Sequence, residues 1–149
     1  MNKKLNAVDI ILLLLANGKT VGRIMMQKQV FLAYKEVLNE YSEDLLYYPD
    51  KFGPYSQLVD DSLKYLKSLS LIKVINRGEG HQTYILTFEG KRKAEEISKL
   101  LPNELIEKLK NQKASWDEWD SNGILRYVYR NYPKYTINIE SKEEGIKNE

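Results

Sequence analysis

The chain has no cysteine and one histidine, His81. Disulfides and thiolate metal sites are therefore excluded, and a single imidazole leaves little from which to build a zinc centre. No metal and no cofactor are expected, and a reducing, cytoplasmic interior fits a chain without thiols. Phosphate-cradling glycine loops, a nucleophile elbow, a zinc-helix pair of histidines and a dinucleotide fingerprint are also missing, so no enzymatic chemistry is expected. The acidic groups Asp60-Asp61 and Asp117-Glu118 with Asp120 do not supply it. Hydrolysis needs two carboxylates in different environments across a substrate, and adjacent helical residues diverge by about 100°.

Long apolar runs are scarce. The longest, at residues 8–16, follows Met1-Asn2-Lys3-Lys4 and imitates a leader sequence. It is too short to span a bilayer, contains Asp9, and is followed by Asn17-Gly18-Lys19 rather than by a small-x-small cleavage site. A core helix is expected there, with no membrane segment. Excess charge of one sign is absent as well: 23 basic and 21 acidic side chains leave a net charge of +2. Any strongly positive surface must be local or built by dimerisation.

What remains is 149 residues, 42% of them hydrophobic, which is the size of one domain with a real core. Residues 1–141 are expected to form that domain, with a helical extension from about residue 102, and residues 142–149 to form a charged, frayed tail. Apolar spacing predicts helices over about 6–16 and 22–41, the second with Ile24, Met25, Val30, Phe31, Tyr34, Val37, Leu38 and Tyr41 on one stripe around Lys28, Lys35, Glu36 and Glu40. Further helices are predicted after Thr87 to about 100, over 103–113 and over 122–131. Trp116 and Trp119 are expected to anchor the C-terminal helices.

Residues 54–90 carry the most information. Val59, Leu63, Leu66 and Leu69 recur at steps of three and four, predicting a helix over 54–69 with Gln57, Asp61, Lys64 and Ser68 on its other face. Pro54 suits a first helical turn and Ser56 is an alternative cap. Two short apolar runs follow, at 71–75 and 83–86, separated by a polar link with two glycines, which predicts a hairpin. The fold expected is mainly α with a small β-hairpin: a winged helix-turn-helix with extra C-terminal helices.

Two family resemblances fit this pattern. Residues 56–90, with the exit Tyr84-x-Leu86-Thr87-x-x-Gly90, resemble the winged-helix regulators of the MarR and PadR type. Met26 to Tyr34, followed by Phe52-Gly53-Pro54-Tyr55-Ser56 and Leu58, resembles SocA-like proteins, the Panacea-type antitoxins and their winged-helix relatives; here Tyr55 replaces their small apolar residue after Gly-Pro. The resemblance implies a domain that binds operator DNA or a protein partner, and no catalytic residue.

The function expected is sequence-specific binding of double-stranded DNA by a transcriptional regulator. Gln57, Lys64 and Lys67 would serve the major groove, Arg77 and His81 the minor groove, and Lys91 and Arg92 the phosphates. A homodimer is expected, with Trp116, Trp119, Leu125, Tyr127 and Tyr129 at its interface. The alternative is an antitoxin or adaptor that uses Phe52, Tyr55 and Tyr65 to bind a toxin or a protease target.

Overall fold

A computed structural model describes residues 4–78 and 81–136. Among them are six helices and five short strands in the order α1 (Ala7–Leu15), β1 (Thr20–Val21), α2 (Arg23–Leu32), β2 (Tyr48–Asp50), β3 (Gly53–Tyr55), α3 (Gln57–Ser68), β4 (Ile72–Asn76), β5 (Gln82–Leu86), α4 (Phe88–Ser98), α5 (Asn103–Glu118) and α6 (Ser121–Asn131). The predicted frayed tail at 142–149, and the end of the predicted extension at 137–141, lie outside the described residues.

Helix α1 is the centre of the core. All its residues except Val8 are buried, and α2, α3, α4 and α5 pack around it. Asp9 belongs to a capping box. Its carboxylate accepts from the Asn6 N–H at 3.0 Å, while the Asn6 side chain accepts from the Asp9 N–H at 2.9 Å.

The region predicted as one helix over 22–41 is interrupted. Regular α geometry ends at Leu32, and Ala33–Val37 form a π turn in which the Leu38 N–H reaches Ala33 O at 2.9 Å. A single 3₁₀ turn, Asn39–Tyr41, closes it. The widened turn sets Glu36 against the C-terminal region, where its carboxylate accepts from the hydroxyls of Tyr127 at 2.8 Å and Tyr132 at 2.7 Å. Phe31 meets Tyr47, Tyr132 and Tyr135 edge-on, with ring centroids 4.9 to 5.0 Å apart.

Helix α2 also departs from expectation at Lys28, placed on its polar side but buried, as are the flanking Gln27 and Gln29. Gln29 accepts from Thr20 Oγ1 and donates to Asp117 Oδ1, both at 2.8 Å. The other oxygen of Asp117 accepts from the fully buried Lys113 at 2.7 Å, and Lys113 also donates to Lys19 O. This chain of bonds ties α5 to β1 and α2. It also explains why α5 continues past the predicted end at 113, carrying Trp116 into the core with 1% exposure.

Predicted helix 54–69 starts later. Gly53, Pro54 and Tyr55 form β3, antiparallel to β2 with Pro54 opposite Pro49, and Gly53 turns at a φ of 89°. Ser56 is the cap, its Oγ accepting from the Val59 N–H at 3.3 Å. The helix ends in a Schellman motif: the Leu71 N–H reaches Leu66 O and the Ser70 N–H reaches Lys67 O, both at 3.0 Å, with Ser70 left-handed at a φ of 59°. Leu69 therefore sits at the cap rather than on the apolar stripe, and is 50% exposed.

Strands β4 and β5 form the predicted hairpin, pairing from Ile72 opposite Leu86 to Asn76 opposite Gln82. Strand β1, which sequence spacing does not predict, pairs with β5 through Thr20 opposite Tyr84, giving a sheet ordered β1-β5-β4. At the exit, Thr87 caps α4 and its hydroxyl donates to Ser70 O at 2.7 Å. Gly90 passes so close to Leu71 that any Cβ would overlap the Leu71 carbonyl oxygen.

Candidate nucleic-acid interface

Helix α3 buries Val59, Leu63 and Leu66 and turns Gln57, Leu58, Asp61, Lys64, Tyr65, Lys67 and Ser68 outward. Two lysines beside two aspartates would be a poor surface for a polyanion if the carboxylates were free. They are not. Asp60 points back across the first turn, accepting from the Tyr55 hydroxyl at 2.9 Å and lying 3.5 Å from the Arg23 guanidinium. Burial, followed by the Asp60 carboxylate it serves, pushes the Tyr55 hydroxyl up to about 12. Asp61 accepts from Gln57 Nε2 at 3.0 Å, so the Gln57 amide is engaged within the helix surface. Lys64 and Lys67 form no salt bridge among the described residues.

Helix α3 packs against β4, which places the hairpin beside it. Arg77 and His81 are exposed at the hairpin tip. The Arg77 N–H donates to His81 O at 3.3 Å, and the His81 N–H to Gly78 O at 3.1 Å. The remaining predicted phosphate contacts separate. Arg92 is 3.1 Å from Glu89 in a pair exposed on both sides, and Lys91 borders a groove with Asn17, Ala94 and Ile106. Of the seven residues expected to serve nucleic acid, Gln57, Lys64, Lys67, Arg77 and His81 belong to adjoining elements, while Lys91 and Arg92 lie on α4.

The predicted dimer surface changes more. Trp116 and Leu125 are buried within the chain, and Trp119 and Tyr127 pack against the same core, with their rings 5.2 Å apart. Trp116 and Leu125 are thus spent within the chain, while Trp119, Tyr127 and Tyr129 are partly buried. The two carboxylate groups of the sequence likewise have structural roles: Asp117 sits in the α5 network, and Asp120 caps α6 by accepting from the Gly123 N–H at 2.7 Å.

Beside α3 lies a cleft of about 470 Å³ between the first turn of α2, the β2–β3 hairpin and the start of α3. Phe52 stands at it 40% exposed, Tyr55 lines it, and Tyr65 instead faces outward from α3. Sequence reasoning placed Gln27 and Lys28 on a helix without seeing their work here. Gln27 holds the main chain of Ser56, and Lys28 Nζ donates to Pro54 O at 2.9 Å. Lys28 is 2% exposed, and burial, partly opposed by the charge of Asp50, lowers its ammonium to about 7. The only sequence signal for these roles was the juxtaposition of the Gln27-Lys28 and Gly53-Pro54 motifs.

Among the described residues no three His, Cys, Asp or Glu side chains are arranged to hold a metal ion, and no helix is long and apolar enough to cross a membrane. The chain matches no protein-family model, and comparison with curated proteins gives no significant match.

Proposed function

We propose that the protein is a sequence-specific DNA-binding transcriptional regulator of the winged helix-turn-helix class, with α3 entering the major groove and the β4–β5 hairpin acting as the wing. The observation that carries this reading is the pairing of β1 with β5. It completes the succession helix, strand, helix, helix, hairpin, with the first strand adding a third strand to the sheet beside Thr83 and Tyr84 of β5. A helix-turn-helix joins its helices by a turn of about three or four residues. Here residues 33–56 intervene, and the clamp from Gln27 and Lys28 to residues 54–56 supplies the fixed geometry that a short turn would give.

Electrostatics support the same surface. With Asp60 paired to Arg23, the outward charge of α3 is that of Lys64 and Lys67 against Asp61, whose exposed carboxylate keeps its charge while accepting from Gln57, leaving a small positive excess. Arg77 at the wing tip suits a narrow minor groove. A net charge of +2 is small for one copy, so a dimer spanning successive major grooves about 34 Å apart is the arrangement proposed.

Retention of labelled genomic fragments across a salt series tests the reading. Specific retention whose logarithmic affinity falls linearly with the logarithm of salt, losing about 0.9 in slope for each phosphate contact removed by mutation, is the expected result. No retention of any fragment at low salt would overturn it.

A second reading, a protein-interaction module of the antitoxin or adaptor class, is favoured by one observation. Tyr65, Leu69 and Phe88 are 54%, 50% and 74% exposed, around the point where the Thr87 hydroxyl joins the end of α3 to the start of α4. Capture of one defined neighbouring gene product, lost on Phe88→Ser, would support this reading.

A further inference from the structure

The cleft beside α3 contains a cation whose charge the fold offsets only in part, through Asp50. Lys28 is buried, its ammonium can donate three hydrogen bonds, and the bond the structure gives it is to the neutral carbonyl of Pro54. It forms no salt bridge among the described residues. Burying an ammonium against a carbonyl alone is unfavourable, and a carboxylate placed beside it would relieve that. The charges around Lys28 leave room for one. Arg23 and Asp60 neutralise each other across the cleft, and Lys51 with Lys28 outnumber Asp50 by one positive charge. Ile24, Phe52 and Leu63 provide apolar walls. The first turn of α2, which begins at Gly22 without a side-chain cap, lines the same space. A volume of about 470 Å³ falls within the range of small-molecule sites.

We propose that this cleft binds a small organic monoanion with an apolar body, its carboxylate set against Lys28, and that occupancy is transmitted to α3. Transmission has a physical route. The Arg23–Asp60 pair and the Tyr55–Asp60 hydrogen bond join the cleft wall to the first turn of α3. An anion in the cleft competes with Asp60 for Arg23 and loosens that link. The binding half of the proposal stands alone, while the transmission half rests on the reading of α3 as the DNA-contacting helix.

Phenylacetate, octanoate and indole-3-acetate, each beside its uncharged amide, are suitable probes by calorimetry and by amide NMR of the full chain. The acids are expected to bind saturably and at least about tenfold more tightly than their amides, with shifts at Gly22–Lys28 and Asp50–Tyr55. Lys28→Met should weaken the acids by about tenfold. Asp50→Asn, which leaves the buried lysine in place, should tighten them. Near pH 8 binding should take up a proton as the Lys28 ammonium forms, so the measured heat should vary with the buffer. The other titratable groups facing it are Asp50, Lys51, Arg23, Tyr55, Asp60 and Tyr84. Equal binding of acids and amides, or binding indifferent to both substitutions, would overturn the site. Adding the acid to a DNA-retention assay separates the two halves. Acid binding without any change in retention overturns the transmission and leaves the site, and acid binding by a protein that retains no duplex does the same while also sinking the regulator reading.

Discussion

The side-chain amide of Gln27 grips both polar groups of one residue's main chain: its Nε2 donates to Ser56 O and its Oε1 accepts from the Ser56 N–H, each at 3.0 Å. A side chain here takes the place of a β-bridge, fixing the start of α3 to the middle of α2 across 29 residues of sequence. The Ser56 hydroxyl then donates to Leu45 O at 2.7 Å, so the cap of α3 is held from three directions.

Replacing Gln27 with Leu should be among the more damaging single changes outside the apolar core. It leaves the buried N–H of Ser56 without a partner, at a cost of about 1 to 3 kcal/mol, and removes one of two hydrogen bonds from Ser56 O, which keeps the Asp60 N–H at 3.3 Å. Urea unfolding should show a lower midpoint with an unchanged slope. A midpoint equal to that of the parent would show that the clamp contributes nothing.

At Ser70 a substitution should stabilise. Its left-handed φ of 59° closes the Schellman motif after α3, a conformation glycine adopts without the Cβ penalty. The main-chain carbonyl that accepts from Thr87 is retained in glycine. Ser70→Gly should therefore raise stability by about 0.5 to 1 kcal/mol, after allowing for the looser unfolded chain. Thermal unfolding that shows a loss instead would contradict this reading of the turn.

Gly90→Ala should do the reverse. A methyl group at this position overlaps the Leu71 carbonyl oxygen, which already accepts from the Thr87 N–H and hydroxyl. Moving α4 away from the β4 entrance to admit it should cost about 1 to 3 kcal/mol. The change should appear in denaturant midpoints and in faster hydrogen exchange of the Thr87 and Gly90 amides.

Lys28 predicts a stability that depends on pH. Its folded ammonium is held near 7, against an ordinary value of 10.5 in the unfolded chain, chiefly by burial. Between those two values the unfolded state binds more protons, so stability rises with pH, by up to about 1.4 kcal/mol per unit. Below about pH 7 both states carry the charge and the penalty is constant. Lys113 is lowered for the same reason and adds a slope of the same sign. The difference between the parent and Lys28→Met therefore isolates Lys28, and it should grow in the parent's favour from pH 7 to pH 10. A flat difference would contradict the assignment.

Most elements were legible because their signals are local. The start of α4 after Thr87, the leucine period of α3 and the glycine-bearing link between β4 and β5 each lie within one short window. Strand β1 was not legible because two residues, Thr20 and Val21, carry no period, and their pairing with β5 is decided some 60 residues away. The burial of Lys28, with Gln27 and Gln29 beside it, was not legible for a related reason. Charged and amide side chains are usually exposed, and these are buried because Ser56, Pro54, Thr20 and Asp117, none of them a neighbour on the helix, exchange hydrogen bonds with them. The same distance hid the cleft. The surface of α3 and the wing was readable residue by residue, but the withdrawal of Asp60 to Arg23 and Tyr55 was not.

The most direct test of the central claim is an amide NMR titration of the protein with a duplex of about 20 base pairs at about 50 mM salt, where sequence-independent binding is strong enough to observe. A DNA-binding winged helix predicts shifts concentrated on α3 between Gln57 and Ser68 and at Arg77 and His81 in the wing, fading as salt is raised and weakened by Lys64→Ala with Lys67→Ala. No shifts at any duplex concentration, or shifts confined to α5 and α6, would contradict it.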